Sequence, residues 1–341
     1  MHVAMYYNNK DIRIEDIPKP RIRPGELLVK SMACGICGSD VMEWYRIKGA
    51  PRVLGHEMTG EVVEVGENVK DFEVGDRVFV SHHVPCNECR YCLDGLHTVC
   101  ETLHSTNIDP GGFSEFVRVP EINVKFGTFL LPDETSFEDG TFIEPLGCVI
   151  RGQRRANVKS GQTVLVIGSG ISGLLHIQLA RADGAERVIA TDINEHRLNA
   201  AKKFGADEVI NAQEDVPART REVNEGRLAD RVIVCTGAVS VIDQALKSVD
   251  RGGTILLFAP TDPGIDISLP LNELWMNQTT LTTTYAAAPA DIEKAIELIR
   301  LCKLNVHDMI THRLGLAEVA KGFQLVIGAK ESIKVIVEPQ R

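Results

Sequence analysis

Clustered basic residues are missing from this chain: 37 lysines and arginines are scattered among 47 acidic residues, and the formal net charge is −10. Holding a nucleic-acid backbone requires a concentrated cationic face, so a nucleic-acid partner is excluded and a small-molecule ligand is favoured. Also missing is any stretch near the roughly 18 consecutive apolar residues of a membrane span. The N-terminal residues 1–18 lack the long apolar segment of a secretory signal. The expectation is a soluble, cytoplasmic protein without a membrane partner. Tandem repeats and low-complexity linkers are absent, so folded structure should run continuously. The nine cysteines are odd in number, and four bunch at ligand spacing instead of spreading through a small secreted scaffold. That usage fits a reducing compartment, with thiols serving as metal ligands.

What is present falls into two parts. At 341 residues the chain is long for one core, and two domains are expected. Up to about residue 120, short β-like runs are broken by glycine: Leu27 to Lys30, Thr59 to Val65, Arg77 to Val80 and Phe113 to Val119. From Lys159 the pattern becomes apolar strand, glycine turn, helix. Strands are predicted at Thr163 to Ile167, Arg187 to Thr191, Arg231 to Val234 and Thr254 to Phe258. Helices are predicted at Ser172 to Asp183, Glu195 to Phe204 and Ser240 to Val249. Such alternation specifies an α/β domain with a doubly wound parallel sheet covered on both faces. After Pro289 come an amphipathic helix through Ile292, Ala295, Ile296 and Ile299 and a strand-like tail, Ile333 to Val337. A nucleotide-binding domain at 147–289, inserted between the parts 1–146 and 290–341 of a β-rich domain, accounts for this order.

The segment Gly168-Ser169-Gly170-Ile171-Ser172-Gly173 follows a strand and opens a helix. Gly168 allows a tight turn, Gly170 lets a pyrophosphate approach the backbone, and Gly173 permits close helix packing, with Ile171 between them counted among the cofactor-binding candidates. Asp192 stands about 20 residues on, at the end of the next strand, where a carboxylate accepts from ribose hydroxyls and repels a 2′-phosphate. NAD is therefore expected over NADP. Arg197, shortly after Asp192, is placed either on the exposed helix face, against the adenine, or against a 2′-phosphate. Ordinary turn glycines with Asp192 as a helix cap are the alternative, which the combined offsets disfavour.

Cys86, Cys89, Cys92 and Cys100 form a second pattern. Iron-sulfur proteins also use C-x2-C-x2-C, but there the fourth cysteine follows after about three residues and precedes proline. Here the gap is longer and Glu101 follows, so a closed tetrahedral structural zinc is the better reading. Upstream, Cys37, His56 and Glu57 offer a mixed thiolate, imidazole and carboxylate set, which suits a catalytic metal with an open position. Cys34 and Cys37 alone would make a redox pair, but no thioredoxin-like βαβ context surrounds them.

Taken together, C-G-S-D (Cys37 to Asp40), G-H-E (Gly55 to Glu57), G-D-R-V (Gly75 to Val78), the cysteine lobe, E-P-L (Glu144 to Leu146) and the glycine fingerprint resemble the zinc-containing medium-chain alcohol dehydrogenases. The resemblance implies a GroES-like β-rich domain carrying two zincs, a Rossmann domain, and an active site in the cleft between them. It implies Cys37 and His56 as catalytic zinc ligands, with Glu57 or Glu144 supplying the oxygen and Cys148 a rival for the third place. Cys148 otherwise reads as a small buried residue, as do Cys235 and Cys302.

Glu144-Pro-Leu resembles the polyol and threonine dehydrogenase subgroup. The implied substrate is a secondary alcohol with polar neighbours, oxidised by NAD to the ketone. L-threonine-type and simple secondary alcohols are the alternatives, and a zinc-free reductase or a non-enzymatic NAD-binding protein is opposed by the full ligand set. A bound metal would serve as Lewis acid, Ser39 would take the proton, and the cofactor would accept hydride. Two positions depart from the subgroup: Met42 stands where a relay histidine is common, and Thr284, before Tyr285, where an arginine is. Trp44 and Phe113 suit either pocket walls or packing. Leu281 to Tyr285 reads as an edge strand of the kind a partner chain covers, implying a homodimer or homotetramer.

Overall fold

The run Thr163–Ile167 is buried at every position, which only a strand covered on both faces can satisfy. In the computed structural model, which describes residues 1–341, it lies inside a six-stranded parallel sheet. The spatial order is Glu208–Asn211, Arg187–Asp192, Thr163–Ile167, Ala229–Val234, Val249–Leu257 and Thr280–Thr283. Numbered along the chain this is the order 3-2-1-4-5-6 of a dinucleotide-binding sheet, which reverses direction at its first strand. Helices Ile171–Ala182 and Glu195–Lys203 start and stop within a residue of the predicted spans. The core is aliphatic, drawn from Leu165, Ile189, Val232, Ala245 and Ile255. These elements belong to one compact unit, Cys148–Tyr285.

The other unit comprises Met1–Gly147 and Ala286–Arg341. Its larger sheet has seven strands, ordered Ile310–Gly315, Lys334–Glu338, Leu27–Gly35, Glu57–Val65, Arg77–Val80 and Thr128–Leu130, with Phe116–Val119 also paired to Leu27–Gly35. A smaller three-stranded sheet joins Asp11–Asp16, His2–Asn8 and Arg52–Val53. Leu27–Gly35 is the organising strand. Its last residue, Gly35, pairs with Glu57 on one side and with Ile336 of the C-terminal strand on the other. The register therefore brings the start of Glu57–Val65 and the end of the chain to one point. Phe113 belongs to the core here, edge-on to Phe323 at 6.1 Å, so of its two expected roles the structure gives it packing. Trp44 lies against Tyr45, with ring centroids 5.7 Å apart.

Candidate active site and metal centres

Cys37 ends the turn after Leu27–Gly35 and caps the short helix Gly38–Val41. Ser39 donates to its sulfur through both N–H and Oγ, each at 3.4 Å. His56 and Glu57 stand side by side at the start of Glu57–Val65, and the ligand atoms of Cys37, His56 and Glu57 all lie within 4.8 Å of one another. Asp40 is fully buried, accepts from the Cys37 backbone at 3.1 Å, and holds His56 Nδ1 at 3.2 Å. A carboxylate on Nδ1 leaves Nε2 free to face a metal, the usual device for orienting a ligating imidazole. Burial opposes charge on His56, yet Asp40 and Cys37 raise its pKa well above the ordinary value, and Cys37 shares a hydrogen bond with it. The trio thus gathers a sulfur, an imidazole nitrogen and a carboxylate oxygen beside anionic neighbours, and this donor set fits zinc.

Glu57 has a second partner. Its Oε2 is ion-paired with Lys334 Nζ, and both side chains are sealed from solvent. A Cβ on Gly35 would collide with both groups, so glycine at this strand end clears the path for the pair. Glu144 is buried in the first turn of Ile143–Arg155, and its carboxylate is outside the trio. Cys34 is a core residue, its thiol pushed up by burial and by Asp40 and Glu57. Cys302 is exposed just past the helix Pro289–Arg300, which corrects its reading as buried.

The four lobe cysteines converge likewise. Cys86, Cys89, Cys92 and Cys100 place their sulfurs within 4.8 Å of one another, with Cys89 to Cys92 and Cys100 to Cys86 both at 3.6 Å. No disulfide forms among them. Burial works against charge on Cys100, but backbone N–H groups of Cys86 and Leu103 bring its pKa to about 6. The lobe's apolar core is only Cys92, Cys100 and Leu103, too little to fold such a segment unaided, which is the setting of a structural zinc.

In the other unit, Gly168 takes φ +93° and a Cβ on Gly173 would strike the Gly168 carbonyl, so both positions require glycine. At Gly170 a Cβ meets nothing nearer than the Arg197 guanidinium, 3.9 Å away. That opening in front of a helix N-terminus is where a pyrophosphate fits. Asp192 is buried at the adjacent strand end, accepting from Ser169 N at 2.8 Å and Asn194 N at 2.9 Å. Arg197 approaches it at 3.9 Å.

Comparison with known proteins agrees with this geometry. Residues 23–127 match the alcohol dehydrogenase GroES-like domain and residues 172–300 the zinc-binding dehydrogenase family. The chain belongs to the zinc-containing medium-chain alcohol dehydrogenases. It is 31% identical to a sorbitol dehydrogenase of Bacillus subtilis, over all of this chain and 98% of that one. It is 35% identical to an L-threonine 3-dehydrogenase of Pyrococcus furiosus, over 92% of this chain and 91% of that one. A Sinorhizobium meliloti protein described as a zinc-binding dehydrogenase, bound to NADP, superimposes with a TM-score of 0.89 at 28% identity, over 99% of both chains. The chain is accordingly a zinc-dependent oxidoreductase acting on CH–OH groups of small molecules. No helix is long and apolar enough to cross a membrane.

Beside the trio of this dehydrogenase lies a polar cavity of about 290 Å³, reached by Arg46, Arg52, His82, His83 and His104. His82 stacks between His56 and His83, at 4.8 and 3.8 Å. Burial, then the neighbouring imidazoles and arginines, hold His82 far below its ordinary pKa, and burial with His56 holds His83 at about 3. Both rings are neutral donors and acceptors. Arg46 donates to Ser39 Oγ at 2.8 Å and to its carbonyl at 3.0 Å. Sequence reading missed these residues. The available signals were the His82-His83 pair just before the lobe and the Arg52 just before Gly55-His56-Glu57.

Proposed function

We propose that this enzyme oxidises a secondary alcohol with polar neighbours to the ketone, with NAD as acceptor, at the site built from Cys37, Ser39, His56 and a carboxylate. The carrying observation is the Cys37, His56 and Glu57 trio with Ser39 Oγ beside it. Zinc held there would supply a Lewis acid for the C–O group. Cys37 would hold it through the thiolate, His56 through Nε2, and Glu57 or Glu144 through a carboxylate oxygen. Because Glu57 is committed to Lys334, Glu144 remains a second source. Ser39 Oγ takes the hydroxyl proton, and Arg46, donating to the same oxygen, offsets negative charge there. With Met42 in place of a relay imidazole, and a guanidinium that cannot accept a proton, the proton leaves through solvent or ribose hydroxyls.

The Rossmann unit, with Gly168, Gly170, Ile171 and Gly173 at the pyrophosphate and Asp192 at the ribose, holds NAD; Arg197 packs beside it. Cys86, Cys89, Cys92 and Cys100 hold the structural zinc. The enzyme works in the cytoplasm as a homodimer or homotetramer. Support for assembly comes from Thr280–Thr283, which ends its sheet, and from the exposed Leu271, Trp275 and Met276 nearby. The test is NADH formation by zinc-loaded enzyme across polyols, cyclitols, L-threonine and simple secondary alcohols, with NADP in parallel. Turnover of polyols with NAD supports the reading. Turnover confined to L-threonine changes the substrate class, and preference for NADP, the cofactor bound to the Sinorhizobium relative, overturns the role given to Asp192.

A further inference from the structure

The cavity beside His56 carries more positive charge than its own residues neutralise. Asp40 is the single carboxylate that lines it. That one negative charge is already shared among His56 at 3.2 Å, Arg46 at 3.4 Å and the Cys37 N–H at 3.1 Å. Arg52 lines the same cavity and is half-buried, and while its backbone sits in the strand paired with Tyr6, its guanidinium makes no ion pair or hydrogen bond with the protein. Desolvation first, and then repulsion from Arg46, act against its charge and outweigh the weaker attraction of Asp40 and Tyr45, yet a guanidinium stays protonated throughout the working pH range. A partly desolvated cation without a counter-charge costs stability until a ligand supplies one. His82 Nδ1 is likewise buried here without a partner.

We propose that the alcohol carries an oxyanion, a carboxylate or a phosphate, that Arg52 receives with Arg46 in this cavity. The inference rests on the active-site reading above and narrows its substrate class. A neutral polyol can satisfy His82 through a hydroxyl but leaves Arg52 uncompensated. An acid of the same chain length satisfies both, and a planar guanidinium is suited to a bidentate oxyanion. L-Threonine also carries a carboxylate for Arg52, but its ammonium group would meet the same cations unfavourably, so a net-anionic alcohol is favoured over this zwitterion. The reaction itself is unchanged: hydride leaves the carbinol carbon for NAD, the hydroxyl proton goes to solvent, a C=O forms, and the oxyanion is only a handle.

The experiment compares NADH formation by the zinc-loaded enzyme on matched sets: a hexitol, the hexonate of the same configuration, the hexitol phosphate, and L-threonine. The expected result is a kcat/KM for one oxyanion at least about tenfold above the neutral hexitol, with the better oxyanion identifying the source. Arg52→Gln should collapse that ratio at least about tenfold, mainly through KM, whereas Arg52→Lys should keep most of it. Equal or better turnover of the neutral hexitol by the wild type overturns the proposal and leaves the dehydrogenase reading standing. A rise in KM for NAD in Arg52→Gln, with the substrate ratio intact, assigns Arg52 to the cofactor and also overturns it. Absence of NADH from every alcohol overturns the active-site reading and this proposal together.

Discussion

Lys334, on the last strand of the chain, is ion-paired with Glu57, and neither side chain reaches solvent. The partners are separated by 277 positions and meet because Gly35 lies between their strands without a side chain. Removing one partner of such a pair strands the other. Lys334→Met should lower stability by about 3–5 kcal/mol, measured by chemical denaturation, and adding Glu57→Gln should recover part of the loss. Equal stability of Lys334→Met and wild type would show that the pair is not buried in solution.

The cysteine lobe has so small an apolar core that its order depends on the metal. Cys100→Ser should lose one zinc and open the 86–105 segment to limited proteolysis while NADH still binds. A lobe that stays resistant without its metal would mean that packing alone holds it.

Two fingerprint glycines should respond differently. Gly173→Ala drives a methyl into the Gly168 carbonyl and should destabilise the fold by about 1–3 kcal/mol. Gly170→Val places its Cβ in open space, with only the flexible Arg197 guanidinium 3.9 Å away, and should leave the melting temperature near wild type while weakening NADH binding, read by fluorescence titration. Intact NADH binding in Gly170→Val would place the pyrophosphate elsewhere.

His176 gives a pH signature. Burial holds it neutral with a pKa of about 3, below its ordinary 6.5, edge-on to Phe258 at 4.6 Å and bonded to Gln153 at 3.2 Å. The unfolded chain takes up the proton first. Its stabilising contribution is therefore complete above about pH 6.5 and declines as pH falls from 6.5 toward 3. Between pH 7 and pH 5 the decline is about 2 kcal/mol. His176→Leu should remove that component, so the stability gap between variant and wild type should shift by this amount across the interval. Parallel pH profiles would contradict it.

Much of the architecture was legible because it rests on local pattern. Arg77–Val80 and Thr163–Ile167 are found at the predicted residues, each an apolar run between turn signals. Glu208–Asn211, with one fully buried residue, and His2–Asn8 with Asp11–Asp16 carried no comparable signal, and tertiary pairing makes them strands. At the site, ligand spacing was visible in Cys37, His56, Glu57 and the lobe. Lys334 as partner of Glu57, Arg46 on Ser39, and the unpaired Arg52 were not, because each depends on strand register or on charges distant in sequence.

The measurement that bears most directly on the central claim is zinc content and NADH formation for Cys37→Ser beside wild type. The structure offers two four- or three-residue metal groups per chain, so wild type should bind two zincs. Cys37→Ser should retain one, still bind NADH, and form none from any alcohol that the wild type oxidises. A Cys37→Ser protein that keeps both zincs and turns over at the wild-type rate would contradict the assignment of the catalytic centre.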